Sequence, residues 1–357
     1  MSASVPRTIG DTAVKVFKDS AKSLRLLKKV DPRERYVLLF PSSDSAYVGM
    51  GFKLLNVPPA EKVFEHASDI LKKNLIKLCL SGPKSELLNS MENRHLATFV
   101  TSHATLAKLE HERPRTIPLC KAAGGFGVGF VNSLVFGESM SFENALDLVQ
   151  KQGQAMDRAA EVVPSARVKI RLLPATSKKR ICLAAKEHCL SLGIPEEIGI
   201  CSIAQQKHAH IVEIAGHEEA IKYLETEGER IFKFRWIRRI LKTPQAFHSA
   251  LMKPASDFLS VYLNQRIQED PSYLREPQTC SVYSSTAGYR LRNVEHIKKD
   301  LVQYPCRSIL TEQLIHCLFA RPKTLAQPNI IVLWDKSLKE CLLPVNRRAH
   351  EAAELFA

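Results

Sequence analysis

Gly124-Gly125-Phe126-Gly127-Val128-Gly129 follows an apolar run at residues 116–122 and precedes a helical pattern at 130–136. In that place the hexapeptide reads as a sharp turn from a buried strand into a helix, since glycine allows close backbone approach and left-handed angles. Working outward, residues 35–40 read as another buried strand followed by a polar turn at 41–45. Helical patterns cover 60–81, 82–90, 94–109 and 141–163. Strands alternating with helices, with a sharp turn at a strand end, predict a mostly parallel α/β sheet.

The middle of the chain behaves differently. Residues 167–172 read as a strand and 178–192 as a helix that Gly193 and Pro195 stop. Strands at 198–204 and 209–214 flank a polar turn, a helix covers 218–227, and a strand at 231–237 sets Phe232, Phe234 and Trp236 on one face. The order β-α-β-β-α-β over about 70 residues is the ferredoxin-like unit. It stands as an insertion, because α/β segments resume at 281–283 and 330–334. The fold class expected is therefore α/β, a large subdomain with an inserted ferredoxin-like (βαββαβ) small one. The boundaries drawn are 1–34 for an N-terminal extension, 35–165 and 241–345 for the large subdomain, 166–240 for the small one and 346–357 for a tail.

Composition bounds the function. No apolar run reaches the roughly 18 to 20 residues of a membrane-spanning helix, so a soluble protein is expected. Nine cysteines occur, none in a CxxC pair. This points away from zinc and secreted disulfides and toward a reducing compartment with thiols in the core. No cofactor is assigned. Lys and Arg total 51 against 37 Asp and Glu, a formal charge of +14, which favours phosphate-rich or acidic partners. Val14, Phe17, Ala21, Leu24 and Leu27 recur at helical steps among Lys15, Lys18, Lys22, Arg25, Lys28 and Lys29. This basic amphipathic helix is either a mitochondrial targeting segment or a retained arm that docks on a partner. Lys233, Arg235, Arg238, Arg239 and Lys242 form a positive stripe without an acidic residue. It is a candidate phosphate- or RNA-contacting surface, or else a solvated strand face.

The runs Leu38-Leu39-Phe40-Pro41, Val48-Gly49-Met50-Gly51, 125–136, Gln154-Ala155-Met156 and Val163-Pro164-Ser165, with 187–194, 216–220, Ala246-Phe247-His248, Leu251-Met252-Lys253-Pro254 and Val282-Tyr283-Ser284, carry a resemblance. In that order they resemble the malonyl-CoA:acyl-carrier-protein transacylases, the mitochondrial animal-type forms in particular, across residues 36–343. The resemblance implies an α/β-hydrolase-like large subdomain with an inserted ferredoxin-like one, as read above.

It also implies a chemistry. Malonyl passes between thiols through an acyl-serine at a GxSxG strand-to-helix elbow, with a histidine as base, backbone N–H groups for the oxyanion and an arginine for the free carboxylate. In this sequence the serine position is Gly127, the arginine position is Gln152 and the base position is His248. The oxyanion loop is Ser42-Ser43-Asp44-Ser45-Ala46, centred on Ser43, the late GPG loop is Trp334-Asp335-Lys336, and an asparagine position is Ser285. The expectation is a mitochondrial-matrix protein of transacylase fold that is not an enzyme and acts in binding or as a scaffold. Its expected partners are mitochondrial acyl carrier protein or a mitochondrial ribosomal precursor of protein and RNA. The alternative is an active acyltransferase with a relocated nucleophile, for which Ser42, Ser43 and Ser45 are the candidates.

Overall fold

The computed structural model describes residues 35–174, 176–241, 245–321 and 326–357; the amphipathic segment and Lys242 lie outside them. Eleven strands occur among the described residues: β1 Tyr36–Phe40, β2 Cys120–Gly125, β3 Ser165–Arg171, β4 Cys201–His208, β5 Ile211–His217, β6 Trp236–Arg239, β7 Ser281–Ser284, β8 Arg290–Leu291, β9 Ile309–Leu310, β10 Asn329–Leu333 and β11 Ala353–Phe356.

They form two sheets, ordered β11-β10-β1-β2-β7-β8 and β6-β3-β5-β4-β9. In the first, β11 through β7 run parallel and only β8 is antiparallel. A central parallel strand is covered on both faces, so it needs no polar alternation. β1 shows this: Leu38 and Phe40 pack with Phe99, Val131 and Leu146 on one face, while Val37 and Leu39 pack with Leu314, Leu318 and Val332 on the other. The apolar run that marked this strand in the sequence is thus shared between two cores.

The second sheet carries the β-α-β-β-α-β order. Helices Lys178–Ser191 and Glu218–Phe232 cover it, and Val168, Ile170, Ile181, Ile214 and Leu224 make its core. The short β9 adds to this sheet, parallel to β4, from a point in the chain well beyond β6. Gln205 Nε2 donates to Thr311 Oγ1 at 2.9 Å beside it.

Several expected elements differ from the structure: the strand read at 116–122 runs from Cys120 to Gly125, and the helix read at 60–81 is two helices, Pro58–Leu71 and Leu75–Ser81. The strand placed at 231–237 begins only at Trp236, because the preceding helix extends to Phe232. Ala220, Ile221, Leu224, Gly228 and Phe232 recur at three- and four-residue steps on its buried face, so packing prolongs it. Phe232 and Phe234 therefore stack within the small core at 5.8 Å instead of alternating along a strand. Residues 346–357, set apart as a tail, contain helix Arg347–Glu351 and the edge strand β11.

Candidate active site

The glycine-rich turn lies where β2 passes into helix Val128–Phe136. It presses directly on the end of β1. A β-carbon on Gly129 would stand 2.5 Å from the Pro41 carbonyl oxygen, and one on Gly125 would overlap the Gly129 carbonyl. Phe126 N–H donates to Phe40 O at 3.1 Å, which closes the contact. Gly127, at the apex, has φ 60° and ψ −123°, angles that cost an L-residue about 1–3 kcal/mol.

A buried aromatic side chain meets this apex. A β-carbon on Gly127 would be 2.6 Å from the Tyr304 hydroxyl oxygen. Tyr304 caps helix Val294–Gln303, is 5% exposed, and lies edge-on to the His248 ring at 5.0 Å. His248 has φ 63°, an uncommon left-handed angle for a side chain of its size. Its N–H donates to Pro305 O at 2.8 Å, and its Nδ1 lies 3.2 Å from Tyr304 O, which together hold the loop. Burial, then the Arg167 charge, pushes the His248 pKa down to about 4, so the ring is neutral at neutral pH. A carbonyl beside Nδ1 selects the tautomer protonated there and leaves Nε2 as the basic nitrogen.

The turn Ser43–Ser45 faces a charged network. Arg94, 2% exposed on helix Met91–Glu112, donates to Ser43 O through Nε at 3.2 Å and Nη2 at 2.9 Å, and through Nη2 to Asp44 Oδ1 at 2.9 Å. Arg167 lies 3.6 Å from Asp44 and 3.8 Å from Glu213, and Lys207 pairs with Glu213 at 2.7 Å. Three cations thus share two carboxylates. Burial would raise the Asp44 carboxyl, but Arg167 and then Arg94 outweigh it and hold the group well below the usual range. The Asp44 side chain is nevertheless 43% open to solvent, so screening weakens these attractions.

The structure brings together some of the residues singled out in the sequence. Gly127 and His248 meet through Tyr304. The three loop serines are each engaged: Ser42 Oγ accepts from Asp44 N–H, Ser43 Oγ donates to Met91 Sδ at 3.6 Å, and Ser45 Oγ donates to the Asp335 carboxylate. Gln152 is 1% exposed on helix Phe142–Ala160, and its Oε1 has no hydrogen-bond partner among the described residues. Ser285 is buried and its carbonyl accepts from Leu310 N–H at 2.7 Å.

The basic stripe is not one free cationic face. Arg239 is committed to Glu218 at 2.8 Å and Glu225 at 2.7 Å, and Arg238 lies over the Trp236 ring at 5.0 Å. Lys233 ends a helix in the left-handed conformation, and Arg235 N–H donates to Arg171 O. The acidic partners come from the neighbouring helix, which a reading of residues 233–242 alone overlooks.

Tyr304 and the Arg94–Asp44–Arg167 network were not singled out from sequence. A lone arginine early in an apolar helix pattern was the available signal for Arg94. Tyr304 had none, since its meaning depends on what it faces.

No family model matches the chain. It is 34% identical over 325 residues to the mitochondrial protein of Drosophila melanogaster named a probable malonyl-CoA-acyl carrier protein transacylase, covering 91% of this chain and 83% of that one. To the human mitochondrial malonyl-CoA-acyl carrier protein transacylase it is 36% identical over 292 residues, covering 82% and 72%. A malonyl-transacylase solved in complex with a type II polyketide synthase acyl-carrier protein shares the fold, with TM-score 0.74 and 21% identity over 90% of this chain and 95% of that chain.

These relatives correct an expectation. Proteins named as transacylases are this similar over most of the chain, so a glycine at 127 does not make the chain a non-enzyme, and that reading is set aside. Scaffolding and a ribosomal precursor partner find no counterpart in the relatives' names. The chain belongs to the malonyl-CoA–acyl carrier protein transacylase family.

Proposed function

We propose that the chain exchanges acyl groups of the malonyl class between coenzyme A and acyl carrier protein in mitochondria. The observation that carries this reading is the pairing of a strand-to-helix elbow at Gly127 with His248, a neutral ring that meets it through Tyr304. The similarity to mitochondrial transacylases supports the substrate class and the compartment; within it we infer the matrix. An excess of 14 positive charges suits an acidic carrier protein, whose approach it would steer. In this reading the cleft lies between the subdomain 35–165 with 241–345 and the inserted 166–240.

His248 is assigned as the general base and the Val128 N–H, at the first position of the helix, as an oxyanion donor. Gln152 offers an amide where the family pattern has an arginine, so selection of malonyl over acetyl is expected to be weak. The test is transfer of labelled malonyl from coenzyme A to mitochondrial holo acyl carrier protein by the purified chain. Label on the carrier that depends on His248 supports the reading; no transfer above the uncatalysed exchange overturns it.

A further inference from the structure

Acyl exchange through an enzyme-bound ester needs an oxygen at the elbow, and residue 127 has none. Another hydroxyl stands there. The Tyr304 oxygen lies 2.6 Å from the place a β-carbon on Gly127 would take, and the Tyr304 ring lies 5.0 Å from that of His248. Gly127 opens the space that the phenol enters, at the positive end of helix Val128–Phe136.

We propose that Tyr304 is the acyl-accepting nucleophile of this chain, its phenol oxygen standing at the elbow in place of a residue-127 side chain. The inference rests on the acyl-exchange reading above. Tyrosine is an established covalent nucleophile in enzymes, and an aryl ester, like a thioester, has a weakly basic leaving group. Passage from thioester to aryl ester and back is therefore a balanced exchange.

The surroundings agree with that role. Burial and then the Asp44 charge raise the Tyr304 pKa, so the phenol rests protonated and needs a base as it attacks. His248 is the neutral imidazole against it, and its Nδ1 is tied to the carbonyl of Tyr304 itself. Base and nucleophile are thereby anchored to one short segment, which fixes their relation as catalysis requires. Arg94 and Arg167 act in the opposite direction on the phenol and favour the negative charge that develops there.

The hydroxyls of the loop and of helix Val128–Phe136, and the thiol at the start of β2, are engaged elsewhere. The serines at 42, 43 and 45 are bonded as described. Ser133 Oγ, buried, donates to Phe130 O at 2.7 Å, and Cys120 Sγ is directed to Thr116 O at 3.4 Å.

The steps balance. In the first half-reaction His248 Nε2 takes the phenol proton as the oxygen attacks the thioester carbon. The C–O bond forms, the C–S bond breaks, and coenzyme A leaves as a thiol with that proton. In the second, the carrier thiol gives its proton to His248 and its sulfur attacks the aryl ester carbon. The C–O bond breaks and the phenolate takes the proton back. Tyr304 is 5% exposed, so thioester entry must open its packing.

The experiment uses the purified full chain with malonyl-CoA and acetyl-CoA, acid quench, proteolysis and mass spectrometry. An acyl ester on Tyr304 is expected, absent in Y304F and slower to form in H248A. Y304F keeps the ring, so its melting temperature reports whether the fold is retained. With the fold retained, Y304F is expected to lower transfer to the carrier by at least about a thousandfold. An adduct on another residue, transfer without any adduct, or a Y304F rate equal to wild type overturns the assignment but leaves acyl exchange standing. Absence of both adduct and carrier acylation in the wild type overturns both.

Discussion

Asp44 accepts a hydrogen bond at 2.9 Å from Arg94, a guanidinium that is 2% exposed while the carboxylate is 43% open. The two ends of this pair are therefore unequal. Removing the acid weakens the compensation of a buried cation; removing the cation leaves an acid that water can solvate.

D44N is accordingly expected to destabilise the protein more than R94M. Breaking a fully buried pair costs about 3–5 kcal/mol, and the open carboxylate lowers this to about 2–3. R94M loses its bonds to the Ser43 carbonyl and should cost about 1 kcal/mol. Urea unfolding of both variants and of the double variant measures the asymmetry. Equal losses would show that Asp44 contributes no compensation.

The Gly127–Tyr304 contact makes a second prediction. G127A adds a β-carbon at φ 60° and 2.6 Å from the phenol oxygen. A destabilisation of about 1–3 kcal/mol is expected. Combining it with Y304F removes the obstructing oxygen and should return part of the loss, with a coupling of about 1 kcal/mol in a double-mutant cycle. Strict additivity would mean that the two positions do not touch.

Three of the buried histidines contribute to the acid limb. Burial holds the His95 and His103 pKa values down to about 3 and that of His248 down to about 4, against 6.5 unperturbed. Between these limits the unfolded chain binds protons that the folded chain does not, so stability rises with pH there. Their full contribution is present above pH 6.5 and falls as the pH drops toward 4, by about 1.4 kcal/mol per pH unit for each group. His103, shifted by burial alone, is the cleanest case. H103L should flatten the stability–pH slope between pH 6 and 4 by about that amount. An unchanged slope would show that His103 takes up its proton in the folded state.

Asp157 anchors the helix that carries Arg94. Its carboxylate accepts from Met91 N–H at 2.8 Å, Glu92 N–H at 3.1 Å and Ser90 Oγ at 3.0 Å, which satisfies the open donors of the first turn. D157A is expected to cost about 1–2 kcal/mol. Faster amide exchange at Met91 and Glu92 would place that loss at the helix start.

What could be read in the chain itself was local. β1 announced itself as an apolar run, the small subdomain by its alternating elements, and the elbow by glycines whose missing β-carbons let helix, strand and loop close together. His248 was legible through its similarity to a family pattern. Arg239 shows where such reading stops, because Glu218 and Glu225 reach it from a helix outside the stripe.

The α/β architecture, the insertion and the turn at Gly127 follow from periodicity and from backbone angles set by neighbouring residues. That Tyr304 fills the space above Gly127, that burial keeps His248 neutral and that Arg94 and Arg167 share Asp44 could not be read along the chain. Those properties arise where distant segments meet. They depend on packing distance, burial and field, which no stretch of chain carries alone.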